Sequence, residues 1–372
     1  MNPMTERERV LSILNRRQPD QLPWCADFAY LVDSMKVQGI FPQQYENTWL
    51  DNGLQKMHRD YGTGFYLQGF EPFKGTPKAD VQVLKDGDSI TTIISTPFGD
   101  LREEKKYSWV SFSGGITKHF IEDIEDLKKF VWHIKNTQYT PDYGFARQRY
   151  ETIGDNGVVL CYTPKSPIMN LVAIYAGVEN VTYMMMDDEE EFTALLDELE
   201  EKHDEACRMV VESPAECIMI PENISSECVA PFYQKYMKRY HKKWTDSIRA
   251  AGKFSFVHQD GTVRGLISQL SKESGFDVIE AVTPMPVGDV ELAEVASLVD
   301  SRTIIWGGIP GGMFNELSCT DEEFDAHIKM CIDVMTQSPR YVLGVADQVV
   351  PGSSEKRIKR VRELVNMYGQ YQ

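Results

Sequence analysis

The sequence predicts an α/β fold in which parallel strands alternate with helices. Short apolar runs recur along the 372 residues, and amphipathic helical patterns separate the later runs. Continuous apolar runs of this kind are typical of parallel strands that are buried on both faces. Because eight runs can be counted, we expect a (β/α)8 TIM barrel, with an open doubly wound sheet as the alternative. We expect residues 1–372 to form one domain.

The predicted strands and helices follow each other along the whole chain. The apolar runs cover residues 22–28, 64–68, 157–164, 216–223, 253–260, 276–284, 303–310 and 341–348. Residues 189–212 carry apolar side chains at three- and four-residue spacing, which predicts a long amphipathic helix. Thr5 and Glu8 have the spacing of a capping box and mark the start of the first helix. Thr320 and Glu323 repeat that signal near the C-terminal end.

One segment interrupts the alternation of strands and helices. Residues 81–120 show alternating strand-like residues, with turn signals at Asp86–Gly87 and Phe98–Gly99. This pattern predicts an antiparallel β insertion after the second strand. We expect the insertion to form part of the wall or lid over the mouth of the barrel.

The composition favours a cytoplasmic protein without nucleic-acid or membrane partners. The formal net charge is −17, from 39 basic and 56 acidic side chains, and such a surface repels nucleic acids and anionic membranes. No apolar stretch approaches the roughly 18 residues that a membrane span requires. The first residues lack the apolar run of a signal peptide. Seven scattered cysteines without a CxxC motif indicate reduced thiols.

Ionisable side chains follow several of the predicted strands at the point where each strand ends. In a parallel barrel the carboxyl ends of the strands converge on one mouth, where active sites are found. The residues at these positions are Asp27, Lys165, Glu222, His258, Asp260, Glu280, Gly307, Gly308 and Asp347. Burying such charges one by one is costly unless something compensates for them. A divalent metal ion is a natural compensator.

The types of side chain at these strand ends suit zinc. Imidazole nitrogen and carboxylate oxygen are both zinc ligands, and three protein ligands with an open position mark a catalytic site. We therefore expect Glu222, His258, Asp260 and Asp347 to contribute metal ligands. Glu222, His258 and Glu280 are the candidate catalytic residues; for Glu280, pairing with a nearby Lys or Arg is the alternative.

Further strand-end residues are candidates for binding the substrate and a cofactor. Trp24, Asp27, Tyr30 and Tyr162 are expected to line the substrate pocket. For the aromatic residues, including Tyr66 and Trp306, packing in the core is the alternative; for Asp27 and Tyr30 the alternative is helix capping or packing. Gly307 and Gly308 are candidates for cofactor binding, because glycines in a strand let another group approach the backbone closely.

Several longer segments resemble the uroporphyrinogen decarboxylase superfamily. The similarity lies in TERERVLSILNRRQPDQLPW, SPIMNLVAIYAGVENVTYMMMDDEEEFTALLDEL, ENISSECVAPFYQKYMKRYHKKW, IIWGGIP and VLGVADQVVPGSSEKRIKRV. These segments extend over nearly the whole chain, and the resemblance implies a TIM-barrel fold. The decarboxylase of that superfamily has an Arg-rich segment near the first strand, whereas residues 24–36 contain no Arg. Guanidinium groups are needed to bind a tetrapyrrole with many carboxylates, so decarboxylation of that substrate is disfavoured.

The other branch of the superfamily contains zinc-dependent, corrinoid-linked methyltransferases. Members that methylate a thiol use a His-x-Cys pair and a distant Cys, where this chain has His258, Asp260 and Asp347. The demethylating relatives bind zinc through two Glu residues and a His; Glu222 and His258 match the outer positions, but Met237 occupies the middle one. Carboxylates leave zinc a harder Lewis acid than thiolates do. This difference favours the demethylating side.

The resemblance implies a zinc-dependent methyltransferase. It would move a methyl group from a small methylated donor, of methoxy-aromatic (O-demethylation) or methylamine type, to a corrinoid. The chain lacks a DxHxxG-type cobalamin signature, so the corrinoid is expected on a separate partner protein. A homodimer is possible. The alternatives are a metal-independent decarboxylase and a non-catalytic barrel that binds a ligand or a corrinoid protein.

Overall fold

The computed structural model describes residues 3–46, 52–66 and 69–371. The helices are α1 Glu6–Leu14, α2 Ala29–Val37, α3 Asn52–Tyr61, α4 Ile124–Lys135, α5 Tyr143–Ile153, α6 Pro167–Asn170, α7 Gly177–Asp187, α8 Glu189–Glu212, α9 Ser226–Phe232, α10 Lys238–Ala250, α11 Leu292–Leu298, α12 Asp321–Met335 and α13 Glu355–Tyr368. Across these ranges, none of the helices combines the length and apolar character needed to cross a bilayer.

In the described part of the chain, thirteen strands lie between these helices. They are β1 Trp24–Cys25, β2 Phe73–Pro77, β3 Asp80–Asp86, β4 Ser89–Thr96, β5 Gly99–Ser108, β6 Ser113–Lys118, β7 Thr137–Pro141, β8 Leu160–Tyr162, β9 Cys217–Ile224, β10 Phe254–Gln259, β11 Val278–Val282, β12 Ile304–Pro310 and β13 Tyr341–Ala346. The chain divides into two compact units, of which one comprises residues 1–70, 144–162 and 214–372 and the other residues 71–143 and 163–213.

The first unit is built on a seven-stranded sheet with the order β1-β13-β12-β11-β10-β9-β8. Every neighbouring pair in it is parallel, which confirms the predicted α/β fold with a parallel sheet. Two isolated parallel bridges, Cys25 with Gly64 and Phe65 with Gly157, connect β1 through residues 64–65 to the segment before β8. Of the predicted strand 64–68, residues 67 and 68 lie outside the described part of the chain.

Every second residue of these strands contributes to one apolar cluster. We call the side of the sheet that carries this cluster the inner face. The cluster contains Val10, Ile13 and Leu14 of α1 together with Cys25, Tyr66, Val158, Leu160, Cys217, Met219, Phe256, Val278, Ile304, Trp306 and Val342. Successive side chains of a strand point to opposite sides of a sheet. The inner face therefore carries every second residue of each strand, and α1 packs into the same cluster.

The second unit contains two small antiparallel sheets. Strands β2 and β7 pair with each other, and β3, β4, β5 and β6 form a four-stranded sheet over residues 80–118. Helices α4 and α8 pack against each other, and salt bridges such as Lys135–Glu198 and Lys128–Glu191 link them. The four-stranded sheet occupies the segment for which an antiparallel insertion is predicted. Its place relative to the parallel sheet stays a prediction.

His58 of α3 is a buried imidazole in the first unit. Its ring packs between Phe28, at 4.5 Å, and Phe65, at 4.4 Å between centroids. Nδ1 lies 3.2 Å from the carbonyl oxygen of Gly64, a distance at which a neutral ring donates its Nδ1 hydrogen. Burial lowers the pKa of His58 to about 3. The ring is therefore neutral at physiological pH.

We predict that His58 makes the first unit less stable in acid. The unfolded chain takes up a proton near pH 6.5, whereas the folded chain resists it until about pH 3, so the stability present above pH 6.5 is lost as pH falls. Between pH 7 and pH 5, urea unfolding should show a loss of about 1–2 kcal/mol from this residue. His58→Phe, which preserves the packing between two aromatic rings, should have a shallower pH dependence. Equal pH dependence of both proteins would contradict the assignment.

Candidate metal centre

The carboxyl ends of the parallel strands place several ionisable side chains on the inner face. His258 lies two residues after Phe256, and Glu280 lies two residues after Val278, so both continue the inward positions of their strands. The two residues are also direct partners in the register between β10 and β11. Sequence-distant side chains thus meet because the strands are parallel and in this register.

His258 is fixed by a buried hydrogen-bond chain. Its Nδ1 lies 2.5 Å from Oε2 of Glu280, and the hydroxyl of Tyr66 donates to Oε1 of Glu280 at 2.6 Å. Glu280 is fully buried, Tyr66 is 1% exposed and His258 is 7% exposed. A ring whose Nδ1–H is held by a carboxylate presents its other nitrogen, Nε2, for a further interaction. The predicted alternative for Glu280, pairing with a Lys or Arg, is not what the hydrogen bonds show.

The environment of His258 is strongly acidic. Burial by itself lowers the pKa of the imidazole, but the charge and hydrogen bond of Glu280 outweigh it, and Asp260 and Asp347 act in the same direction. Together they raise the pKa of His258 to about 9. The site therefore favours a positive charge at the imidazole or beside it.

Three ligand atoms converge on the Nε2 side of the ring. One ligand atom each from His258, Asp260 and Asp347 lie within 4.8 Å of one another, and Nε2 is 3.6 Å from Oδ1 of Asp347. Asp260 is held by the side-chain amide of Asn223, which donates to its Oδ2 at 3.0 Å. One nitrogen and two carboxylate donors at this separation can hold a divalent cation.

Two residues of this centre have unusual backbone conformations. Asp347 has a φ of +72° and Asn223 a φ of +53°, in the left-handed region that non-glycine residues seldom occupy. Asp347 directly follows β13, and Asn223 is the penultimate residue of β9. Such strain is concentrated at functional sites, where the surrounding structure maintains it. Here one of the two residues belongs to the cluster of possible ligands, and the other donates a hydrogen bond to Asp260.

Asp27 and Tyr162 belong to the same inner surface. Asp27 follows Cys25 by two residues and Tyr162 follows Leu160 by two. Burial, followed by the charges of Asp347 and Glu280, raises the pKa of Asp27 to about 7. Burial also raises the pKa of Tyr162, and the charge of Asp27 contributes next. Two of the four residues predicted for the substrate pocket are therefore close enough to the acidic centre to be affected by its charges.

Glu222 does not join this centre, and the expectation that it is a metal ligand does not fit the structure. Glu222 lies in an irregular part of β9, where the pairing with β10 shifts register between Ile220 and Ile224, and its side chain is directed to α10. Glu222 is fully buried, and its Oε1 lies 2.7 Å from Nε2 of His241 on α10. Met237, the residue at the usual Glu position of the demethylating relatives, is also fully buried.

Trp24 is likewise turned away from the predicted substrate pocket. It precedes Cys25, an inner-face residue, and therefore points outward, where its ring stacks on Phe314 with centroids 6.3 Å apart. The structure corrects this expectation in favour of core packing. Tyr30 lies half-buried in the first turn of α2.

Close packing within the protein explains why residues 307 and 308 are glycines, without a cofactor. Their φ angles are +145° and +106°. A Cβ atom on Gly307 would lie 2.5 Å from the carbonyl oxygen of Val282, and one on Gly308 would lie 2.9 Å from the methyl group of Met335. The close approach predicted for these glycines is made by the protein itself. Their expected role in cofactor binding has no support in this geometry.

The sequence did not reveal how Tyr66 and Asn223 serve the centre. Tyr66 was a candidate only as a pocket aromatic, yet it donates to Glu280 across 214 positions of sequence. Only the register of the strands brings these two residues together. A local signal exists for Asn223, since Asn is one of the few side chains that tolerate a left-handed backbone.

Comparison with known proteins identifies the family of the chain. The family described as uroporphyrinogen decarboxylase (URO-D) matches residues 110–368. The chain belongs to the uroporphyrinogen decarboxylase family. The predicted resemblance is thereby confirmed at the level of the family.

Two individual relatives are methyltransferases by name. The methylcobamide:CoM methyltransferase MtbA of Methanosarcina acetivorans is 23% identical over 327 residues, which are 83% of this chain and 87% of the relative. A solved methyltransferase from Methanosarcina mazei superposes with a TM-score of 0.64 at 15% identity, and the match covers 98% of this chain and 99% of that one. The second likeness shows that the two proteins share a fold.

We predict that Tyr66→Phe weakens the centre without changing the fold. Removing the hydroxyl leaves Oε1 of the buried Glu280 without this donor, which should cost about 1–3 kcal/mol in the free energy of unfolding. Urea unfolding measures the loss. Tyr371→Phe is the matched control, because the buried Tyr371 hydroxyl has no hydrogen-bond partner among the described residues. Equal free energies of unfolding for the two variants would show that the Tyr66 hydrogen bond does not stabilise the fold.

Proposed function

We propose that this protein is a zinc-dependent methyltransferase that transfers a methyl group from a small methylated donor to a corrinoid carried by a partner protein. The observation that carries the proposal is the position of His258. Its Nδ1 is bound by Glu280, and its Nε2 faces the carboxylates of Asp260 and Asp347. The relative named methylcobamide:CoM methyltransferase supports methyl transfer that involves a corrinoid, and favours this chemistry over decarboxylation.

The donor set of the centre fits zinc. Zinc accepts imidazole nitrogen and carboxylate oxygen, and catalytic zinc sites use three protein ligands and keep a further position open. His258, Asp260 and Asp347 supply three such donors. Histidines that bind zinc usually donate their second ring N–H to a carboxylate, which fixes the ring; Glu280 does this for His258. Asp347 is the most accessible ligand, with 55% of its side chain exposed.

Bound zinc would act as a Lewis acid that polarises the oxygen or nitrogen from which the methyl group departs. The residues of this chain supply position and environment. Glu280 holds the ring of His258 in one orientation, and Tyr66 holds Glu280. Complete burial of Glu280 keeps water from competing for these hydrogen bonds. Asp27 and Tyr162 present polar groups on the inner face, where they would contact the donor.

The donor class follows from the hardness of the ligands. Thiolate ligands soften zinc, whereas carboxylate and imidazole ligands leave it more Lewis acidic. Softer zinc sites with cysteine ligands bind a thiol substrate as the thiolate. An oxygen-rich site is suited to a methoxy or methylamine group, whose leaving atom must be polarised. We therefore propose a donor of methoxy-aromatic or methylamine type.

The charges around the centre argue against a porphyrinogen carboxylate as substrate. Besides burial, the charges of Asp347 and Glu280 raise the pKa of Asp27, and the charges of Asp27, Glu280 and Asp347 raise the pKa of Tyr162. Residues 24–36, where the decarboxylase has its Arg-rich segment, contain no Arg. An acidic surface of this kind repels a substrate with many carboxylates.

We also propose how the architecture serves this function. The bridges of Cys25 with Gly64 and of Phe65 with Gly157 would complete an eight-stranded (β/α)8 barrel, and residues 80–118 would be an insertion in it. Residues 1–372 would then act as a single catalytic domain. A cytoplasmic location and a homodimer stay predictions from the sequence.

We predict that the protein binds about one zinc ion per chain and that the ligands can be told apart by mutation. Asp347→Asn and His258→Ala should each weaken zinc affinity at least about tenfold, since each removes a donor of the centre. Glu222→Gln should retain zinc, because Glu222 pairs with His241 outside the centre. Metal analysis and competition with a chelating dye measure these affinities. Loss of zinc in Glu222→Gln with retention in Asp347→Asn would reverse the ligand assignment.

We predict methyl transfer from a suitable donor to free cob(I)alamin. A panel of methoxybenzoates and methylamines is incubated with the protein, and the absorbance of methylcobalamin is followed. His258→Ala should lower the rate at least about 100-fold, and a chelator should abolish it, since both remove the metal. Asp246→Asn, an exposed carboxylate on α10, is the control and should be fully active. Turnover that survives metal removal would refute the zinc mechanism.

A further inference from the structure

A second polar cavity lies at the opposite ends of the strands that carry the metal centre. Its volume is about 350 Å³. Phe254 begins β10, Asp277 directly precedes β11, and Thr303 directly precedes β12; all three line the cavity. His258 lies four residues further along β10, which is about 13 Å away at the rise of an extended strand. The cavity is therefore separate from the metal centre, at the amino ends of the parallel strands.

The wall of this cavity carries more positive than negative charge. Its charged residues are Arg16, Arg249, Lys253 and Arg302 against Asp277 and Asp300, an excess of two positive charges. The whole chain has a net charge of −17. A positive cavity on a strongly acidic protein attracts small anions, which the rest of the surface repels.

The two carboxylates of the wall are already neutralised by the protein. Asp277 is 8% exposed. Its Oδ2 accepts hydrogen bonds from the backbone N–H and the hydroxyl of Ser255 at 3.1 and 2.9 Å, and Arg16 donates to its Oδ1 at 3.2 Å. Asp300 accepts from the backbone N–H and Nε of Arg302 at 2.9 and 3.2 Å. An incoming anion would therefore meet the positive side chains rather than these oxygens.

Arg16 has a left-handed backbone conformation, which is unfavourable for a residue with a side chain. It has a φ of +57° directly after the C-cap of α1, and the hydrogen bonds of Arg16 N to Ile13 O and Arg17 N to Ser12 O close the helix. Glycine is the usual residue there. The guanidinium of Arg16 donates to the carbonyl oxygen of Arg302 and to Asp277. These hydrogen bonds hold the Arg16 side chain, which follows α1, in the basic wall of the cavity.

The floor of the cavity combines apolar and hydroxyl groups. The rings of Phe254 and Phe276 line it, as do Ser271 and Thr303, whose hydroxyl oxygens lie 2.8 Å apart. Such a floor suits the carbon skeleton of a ligand, whereas the basic rim suits its charged end. Burial lowers the pKa of Lys253, as expected for an ammonium group that is partly removed from water.

We propose that this cavity binds a small organic anion, with its phosphate or carboxylate group at Lys253 and Arg302 and its apolar body on Phe254. This inference does not depend on the proposed methyl transfer, because it concerns the amino ends of the strands. The ligand would be distinct from the methyl donor.

The test is calorimetric titration of the full-length protein with phenyl phosphate, benzoate and inorganic phosphate at an ionic strength of about 0.05 M, where screening is weak. We expect saturable binding of one phenyl phosphate or one benzoate per chain, tighter than inorganic phosphate because of the aromatic floor. The double variant Lys253→Gln/Arg302→Gln should bind at least roughly tenfold more weakly. Lys242→Gln/Lys359→Gln removes two positive charges from exposed helix positions and should bind like the wild type.

Two results would overturn the proposal. One is the absence of saturable binding of all three probes up to about 10 mM, a range that includes weak ligands. The other is equal affinity of the wild type and the Lys253→Gln/Arg302→Gln variant, which would place the anion elsewhere. The single variant Arg302→Gln guards against misfolding, because this side chain is 76% exposed. It should already weaken binding.

Discussion

The alternation of side chains along parallel strands determines which residues form the centre. Phe256 and Val278 fill the core on the inner face, so the next inward positions belong to His258 and Glu280. The irregular end of β9 instead directs Glu222 to His241 of α10. The side chains at the strand ends therefore face one of two environments. One is an acidic inner surface, and the other is a buried layer between the sheet and the helices. Residues adjacent in sequence take different roles for this geometric reason.

The inner surface concentrates negative charge around one imidazole. Glu280 occupies Nδ1 of His258, whereas Asp260 and Asp347 approach the Nε2 side. Burial raises the pKa of Asp347, and the charges of Asp260 and Glu280 add to this effect. Three carboxylates against one imidazole leave an excess of negative charge at this site. The proposed dication at His258, Asp260 and Asp347 would reduce the repulsion between these carboxylates.

Local signals predicted the helices, whereas the centre depends on long-range pairing. The capping boxes at Thr5 and Thr320 and the long helix Glu189–Glu212 occur as predicted, because caps and periodicity act within a few residues. His258, Asp260 and Asp347 could be proposed since strand ends converge. The position of Glu222 beside His241 could not be foreseen, because it depends on the register shift near the end of β9. The Tyr66–Glu280 hydrogen bond joins residues 214 positions apart, and no local pattern indicates it.

The two ends of the parallel sheet have opposite electrostatic character. At the carboxyl ends, Glu280 and Asp347 attract cations. At the amino ends, Lys253 and Arg302 lie around a cavity whose carboxylates are satisfied by Ser255 and Arg16. Because β10, β11 and β12 contribute to both ends, a ligand in the amino-end cavity contacts residues that begin the same strands as His258 and Glu280. The proposed anion and the proposed metal ion would therefore lie at opposite ends of the same hydrogen-bonded strands.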